Sequence, residues 1–406
     1  MYRSSVFKLK IDFDKSHDSC LVDKNSGREF LDFFGMYSTL TLGYSHPIFQ
    51  EPSFLEDIRR VVPLRVTNCE MASSEGERFL KTFSGYSGME PFKYFHFSCT
   101  GALAIEAAIK LAIDQKGSKN PKVISLKESF HGINGYGGFV TDSFHPVSLR
   151  LEGFPNMGWF KVHNPRILYK NNQIDWQATE AGFGRFQKEL QDCLEKAGAE
   201  NIVALVVEPV QATAGDYYFP DSFFSFIRTW CDRHQILLVF DEIQTGFGVT
   251  GKMWYHQYKN VFPDIVAFGK KAQVCGVMFK EHVCKTLQNP IRLEVTWDGD
   301  LIDMIRSTYV LEAFKQYRIL ENVEERGRQL LQGLKEIPGL LNVRGQGLLM
   351  AFDLESHSHQ QSFCQKAFEK GLLFNCTREA SVRLRPPLTV TESETERALD
   401  LIHQSV

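Results

Sequence analysis

Ile236-Leu-Leu-Val-Phe-Asp-Glu-Ile-Gln-Thr-Gly246 is the stretch from which the fold of this chain is read. Its five leading apolar residues suit a strand covered on both faces, and the run stops on two acids, Asp241 and Glu242. A second run, Ile265-Val-Ala-Phe268, closes on Gly269-Lys270-Lys271. A third, Ile202-Val-Ala-Leu-Val-Val207, closes on Glu208-Pro209. Unbroken apolar strands of this kind belong to mostly parallel sheets with helices on both faces, which sets the class as α/β.

The pattern extends in both directions. Helices are predicted near 178–197, before the strand 202–207, and near 221–234, after it; upstream, helices over 71–84 and 101–115 come ahead of a short buried strand, Lys122-Val-Ile-Ser-Leu126. Residues 20–23 and 29–32 read as a hairpin about the turn Asn25-Ser-Gly27. Downstream come one long or two broken helices over 302–336, a hairpin over 341–353, a helix at 358–370, a strand at 382–385 and a helix at 391–403. A chain of 406 residues exceeds what one core usually organises. The reading is a large domain over 70–300, with a smaller α+β domain built from 301–406 and from an N-terminal segment, 1–69.

Composition narrows the function classes. The net charge is −3 and no Lys/Arg cluster is dense enough to follow a phosphate backbone, so neither nucleic acid nor a membrane surface is an expected partner. Nine cysteines without CxxC or histidine-rich spacing point away from a metal site and from a disulfide framework. The opening residues become charged too early for a signal segment, and no apolar run reaches membrane-spanning length. A soluble, cytoplasmic protein with reduced thiols is expected.

Ligands of open α/β sheets bind beyond the carboxyl ends of the strands, so the residues after each run carry the chemistry. Asp241, placed against five apolar residues, is desolvated and needs a cationic partner. Lys270 brings an amine to the end of the following strand, with Lys271 as the alternative. An acid that keeps a ring nitrogen protonated and an amine that forms an imine are what a pyridoxal-phosphate site needs. Thr100-Gly101-Ala102 opens a helix and offers free N–H groups to a phosphate, although the same residues suit an ordinary N-cap. Phe130-His131-Gly132 follows the strand 122–126 and can stack an aromatic ring on a planar group. Glu208 lies at the same edge, as a site carboxylate or a cap; Ile243 returns to the side of Asp241, and Gln244 can bond a phenolic oxygen. No GxGxxG follows an early strand, which disfavours a dehydrogenase.

Phe240-Asp-Glu-Ile-Gln-Thr-Gly246 with Pro263-Asp-Ile-Val-Ala-Phe-Gly-Lys270 resembles the signature of the class III (omega) aminotransferases, pyridoxal-phosphate enzymes of fold type I. Phe268-Gly-Lys-Lys-Ala-Gln-Val-Cys-Gly-Val-Met278 is similar to their L-lysine 6-aminotransferase branch. Further matches include Gly101-Ala-Leu-Ala104, Glu208-Pro-Val-Gln211, Thr296-Trp297 and Arg383-Leu-Arg-Pro-Pro-Leu-Thr-Val390. The resemblance implies two half-reactions between an amino donor and a 2-oxo acid such as 2-oxoglutarate. It selects Lys270 for the imine and Asp241 for the ring nitrogen. Phe130 and Ile243 would lie on the ring faces, Gln244 at the phenolic oxygen, and Thr100, Gly101 and Ala102 at the phosphate. Thr296 would reach the phosphate of a neighbouring subunit, implying a homodimer with shared active sites, and Arg383 would bind the substrate carboxylate. A racemase, mutase or decarboxylase of the same fold, or a cofactor-binding protein without turnover, are the competing readings.

Two positions depart from that branch. It carries an arginine where this chain has Ile133, and a glutamate, paired with the arginine at the 383 position, where this chain has Thr213. Losing the first removes a bidentate carboxylate clamp. Losing the second leaves no acid to mask Arg383, so a donor other than free L-lysine, or lysine held by different contacts, is expected.

Overall fold

The computed structural model describes residues 7–64, 71–86, 90–143, 151–377 and 380–406. The chain forms two compact units, one of residues 60–247 with 252–311 and one of residues 1–59, 248–251 and 312–406. The boundaries lie at 59/60 and 311/312, where the sequence suggested 69/70 and 300/301. Both fall within helices, Pro52–Val61 and Leu301–Gln316, so no linker composition marks them.

The large unit is built on seven strands, β1 (Phe92–Ser98), β2 (Lys122–Leu126), β3 (Phe160–Val162), β4 (Ile202–Val207), β5 (Leu237–Asp241), β6 (Ile265–Phe268) and β7 (Cys275–Lys280). They lie in the order β1-β7-β6-β5-β4-β2-β3. Neighbours from β6 to β3 are parallel, and only β7 runs against its neighbours, pairing antiparallel with β6 and β1. Every residue of β4 is buried, as a central strand covered on both faces requires.

Helices α1 (Ser74–Ser84), α2 (Gly101–Lys116), α3 (Trp176–Ala197) and α4 (Asp221–His234) accompany the sheet. Ala104, Ala108 and Ala112 of α2 are fully buried in one apolar cluster with Val123, Val206, Val239 and Ala267. Small residues at that spacing let the helix lie close on the strands. Its first turn therefore sits at the sheet's carboxyl edge.

The small unit holds a four-stranded antiparallel sheet in the order Leu341–Gln346, Leu349–Asp353, Ser381–Leu384, Asn375–Cys376. The hairpin Cys20–Val22/Glu29–Asp32 turns at Gly27, with φ 70°, and Leu372–Leu373 adds a parallel third strand. The predicted helical stretch over 302–336 is two helices, Leu301–Gln316 and Ile319–Glu336, broken where Arg318 takes φ 50°. One cysteine expectation is corrected: Cys364 and Cys376 form a disulfide. The chain leaves the helix His357–Lys370 and returns as a strand beside it, a proximity that their 12-residue separation does not reveal.

Candidate active site

The parallel register sets Ala267 of β6 opposite Asp241 at the end of β5, so Lys270 emerges three residues beyond that level at the same edge. Lys270 has φ 51°, in the left-handed region. A lysine held there is strained, a condition that the surrounding structure must impose. Its backbone N–H donates to Cys275 Sγ, and burial pushes the Cys275 thiol up to about 11. Lys271, the alternative, is buried.

Asp241 is 5% exposed. Its Oδ2 lies 2.8 Å from His131 Nδ1, and its Oδ1 accepts from the Ile243 N–H at 3.1 Å. The His131 side chain is fully buried, and its Nε2 has no partner among the described residues. Glu208, at the end of β4, accepts from the backbone N–H groups of Phe130, at 2.8 Å, and Ala212. Burial, and then the charge of Asp241, raise Glu208 well above the usual carboxylate range, while the two N–H groups and Lys270 oppose the shift.

Three glycines shape the edge. A methyl group on Gly101 would stand 2.8 Å from Ile243 Cδ1, one on Gly132 3.2 Å from Ala102 Cβ, and one on Gly269 2.9 Å from Cys275 Sγ. The loop after β2, the start of α2, Ile243 and the approach to Lys270 thus touch one another. Thr100 caps α2, accepting from the Leu103 N–H at 3.3 Å, and the N–H groups of the first turn open onto this edge. Gln244 donates through Nε2 to Thr213 Oγ1 at 2.9 Å.

Not every predicted residue joins this cluster. Thr296 is exposed in the turn before Trp297, whose carbonyl accepts from the Cys99 thiol at 2.8 Å. Arg383 belongs to the small unit, where its guanidinium donates to the side chain of Asn375. Two contacts escaped sequence reasoning, His131 on Asp241 and Thr213 on Gln244, because they join residues 110 and 31 positions apart. A third is the buried pair of Glu242 with His256 Nδ1, at 2.8 Å, which ties down the loop leaving β5. Its only sequence signal is the second acid after the strand.

Among the described residues no lysine or arginine pairs with the buried Asp241, and the glycine-lined edge presents helix N–H groups beside it. Pyridoxal phosphate fits both features, with a protonatable ring nitrogen for the acid and a phosphate for the helix start. Fold and site together define a pyridoxal-phosphate-dependent enzyme of fold type I. The family model for class-III aminotransferases matches residues 1–406. The L-lysine-epsilon aminotransferase of Mycobacterium tuberculosis is 32% identical over 418 residues, covering 98% of this chain and 92% of the relative. That of Amycolatopsis lactamdurans is 31% identical over 428 residues, with the same two coverages of 98% and 92%. The solved lysine aminotransferase from M. tuberculosis in the internal aldimine form has a TM-score of 0.93 at 30% identity, over 100% of this chain and 96% of that one. The chain belongs to the class-III aminotransferases, and as such is a pyridoxal-phosphate-dependent transaminase working between an amino donor and a keto acid acceptor.

Proposed function

We propose that this enzyme moves the terminal or side-chain amine of an L-lysine-like donor to 2-oxoglutarate, in two half-reactions at one site, as a cytoplasmic homodimer. The observation that carries the reading is the strand pair β5/β6, which brings Asp241 and Lys270 to one edge beside a glycine-lined helix start. When bound, pyridoxal phosphate withdraws electrons from the carbon bearing the amine, so that a proton can leave it.

The chain's own residues supply the rest. Asp241, oriented by His131, keeps the ring nitrogen protonated; Phe130 and Ile243 cover the ring faces. Thr100, Gly101 and Ala102 hold the phosphate, and Glu208, pinned by Phe130 and Ala212, keeps the ring-stacking loop in place. Lys270 would hold the cofactor covalently, and its Nζ would carry the proton that leaves the substrate carbon. Thr296, exposed in its turn, reaches the phosphate of the second subunit. Arg383 binds the acceptor carboxylate.

A specific observation supports a second donor class. Ile133 is apolar and 56% exposed where the lysine branch resembled by this chain has its arginine, and Thr213 is neutral where that branch has its acid. Ornithine, 4-aminobutyrate or a modified amine fit this reading as well as lysine does. Purified holoenzyme mixed with each donor in the absence of acceptor decides between them, read by the cofactor's absorbance. A response to lysine alone selects the first reading, a response to another amine selects the second, and no response to any amine overturns both. Arg383→Ala is expected to raise the 2-oxoglutarate requirement about a hundredfold, as loss of a charged hydrogen-bond pair does. An unchanged acceptor half-reaction removes Arg383 from the site.

A further inference from the structure

Gln244 and Thr213 meet from two different loops. Thr213 lies in the short helix Ala212–Gly215 after β4, Gln244 lies three residues past the end of β5, and both are part-buried. The contact is the 2.9 Å hydrogen bond from Gln244 Nε2 to Thr213 Oγ1. A primary amide carries two N–H protons in one plane, so tying one to a fixed acceptor sets the direction of the other. We propose that Thr213 is a positioning residue for transamination, its hydroxyl holding the Gln244 amide so that the second N–H is presented to the cofactor's phenolic oxygen. This rests on the reading of Gln244 given above.

The loop around Thr213 is rigid for reasons independent of Gln244. Gln211 is fully buried; its side chain donates to the Lys127 carbonyl at 2.9 Å and accepts from Asn164 at 2.5 Å. Its backbone exchanges hydrogen bonds with Tyr217 in both directions, at 3.1 and 3.2 Å. Glu208 also accepts from the Ala212 N–H. Thr213 is therefore anchored before and after, and its β-branched side chain adds little rotational freedom. Gln244 is a long, rotamer-rich side chain that needs such a partner to keep one orientation. A neutral hydroxyl supplies it without adding charge beside an oxygen that is itself anionic when deprotonated.

An N–H aimed at that oxygen stabilises its anionic form, which lowers the pH midpoint of the bound cofactor's absorbance change. Absorbance titration of the holoenzyme therefore reads the position of the amide directly. Thr213→Val keeps the shape and removes the hydroxyl; the midpoint is expected to rise by about one pH unit, the scale set by one charge-assisted hydrogen bond. Thr213→Ala should rise equally, whereas Thr213→Ser should restore the wild-type midpoint within about 0.2 unit. In a Gln244→Ala background, Thr213→Val should add no further shift, because the two changes remove one shared device.

Failures of the two readings separate cleanly. If Gln244→Ala leaves the midpoint in place, Gln244 does not touch the phenolic oxygen and the proposal falls with it. If Gln244→Ala moves the midpoint but Thr213→Val does not, or Thr213→Ser shifts as far as Thr213→Val, positioning by the hydroxyl is overturned while the reading of Gln244 stands.

Discussion

Asp241 and Asp264 stand at opposite ends of the same parallel strand pair, β5/β6, and are partnered in opposite ways. Both are buried, at 5% and 4% exposure. Asp264, just before β6, accepts from the Leu238 N–H at 2.8 Å and from Arg228 Nη1 at 3.0 Å, with His282 Nε2 at 3.3 Å and Lys280 Nζ at 3.8 Å. Burial alone would raise its carboxyl, but the hydrogen bond from His282, the charge of Arg228 and the Leu238 N–H together hold it below the ordinary value. Asp241 instead meets one histidine nitrogen and one backbone N–H. The amino edge of the sheet supplies its acid with the protein's own cations; under the proposed function, the acid at the carboxyl edge meets a cation that arrives with the cofactor. An identical residue in one strand pair is thus structural at one end and, under the proposed function, chemical at the other.

The largest effect that could break this contrast lies beside Asp241. Lys270→Ala is expected to lower turnover by about 10⁴-fold or more, as loss of a covalent nucleophile does, with Lys271→Ala well above it. The reverse ranking would move the anchor to Lys271. Asp241→Asn should follow, at about a thousandfold, the scale for removing one preorganised electrostatic partner. Its thermal stability should not fall, since the amide keeps an oxygen for the Ile243 N–H while the change removes a buried charge. Asp264→Ala should invert the pattern, costing about 3–5 kcal/mol of stability by stranding Arg228 while the folded fraction keeps its turnover. Equal losses of turnover for Asp241→Asn and Asp264→Ala would erase the distinction.

pH sharpens it. The folded-state value of Asp264 is depressed, so its contribution is present above the unfolded value and lost as pH falls through the folded one. Glu208 behaves oppositely. Its folded-state value is raised, so its contribution is full below the unfolded value and is lost as pH rises through the folded one. Glu208→Gln keeps an oxygen for the Phe130 N–H without an ionisable proton. The unfolding midpoint of that variant should therefore fall less than that of wild type between mildly acidic and alkaline buffers. Parallel curves would mean that Glu208 is not held protonated.

Much of this was legible in sequence because strands β4, β5 and β6 are read from local apolar runs, and each ends in the residue that matters. Helix α2 likewise announces itself through Thr100-Gly101 and its alanine spacing. Partnership was not legible. That Arg228 and His282 serve Asp264, or that His131 serves Asp241, follows from strand order and loop return, which no spacing along the chain encodes. Strand β7 was missed for a related reason. Its Cys275-Gly-Val-Met-Phe-Lys280 lies in the stretch following Lys270, and its antiparallel direction emerges only from pairing with β1 and β6.

The smallest effect tests whether burial, and not ion pairing as such, makes Asp264 structural. Arg228 also contacts Asp232 one helical turn away in α4, at 2.6 Å, a shorter distance than the 3.0 Å to Asp264. Distance alone would rank Asp232 first. Asp232, however, is 65% exposed, and water and salt screen its attraction, whereas Asp264 meets Arg228 out of solvent. Asp232→Ala is therefore expected to cost no more than about 0.5 kcal/mol, the usual value for an exposed i,i+4 pair, and less still at high salt. A loss comparable to that of Asp264→Ala would show that Arg228 draws on both acids as one network, and the amino edge would owe its stability to charge number and not to the depth at which one charge is held.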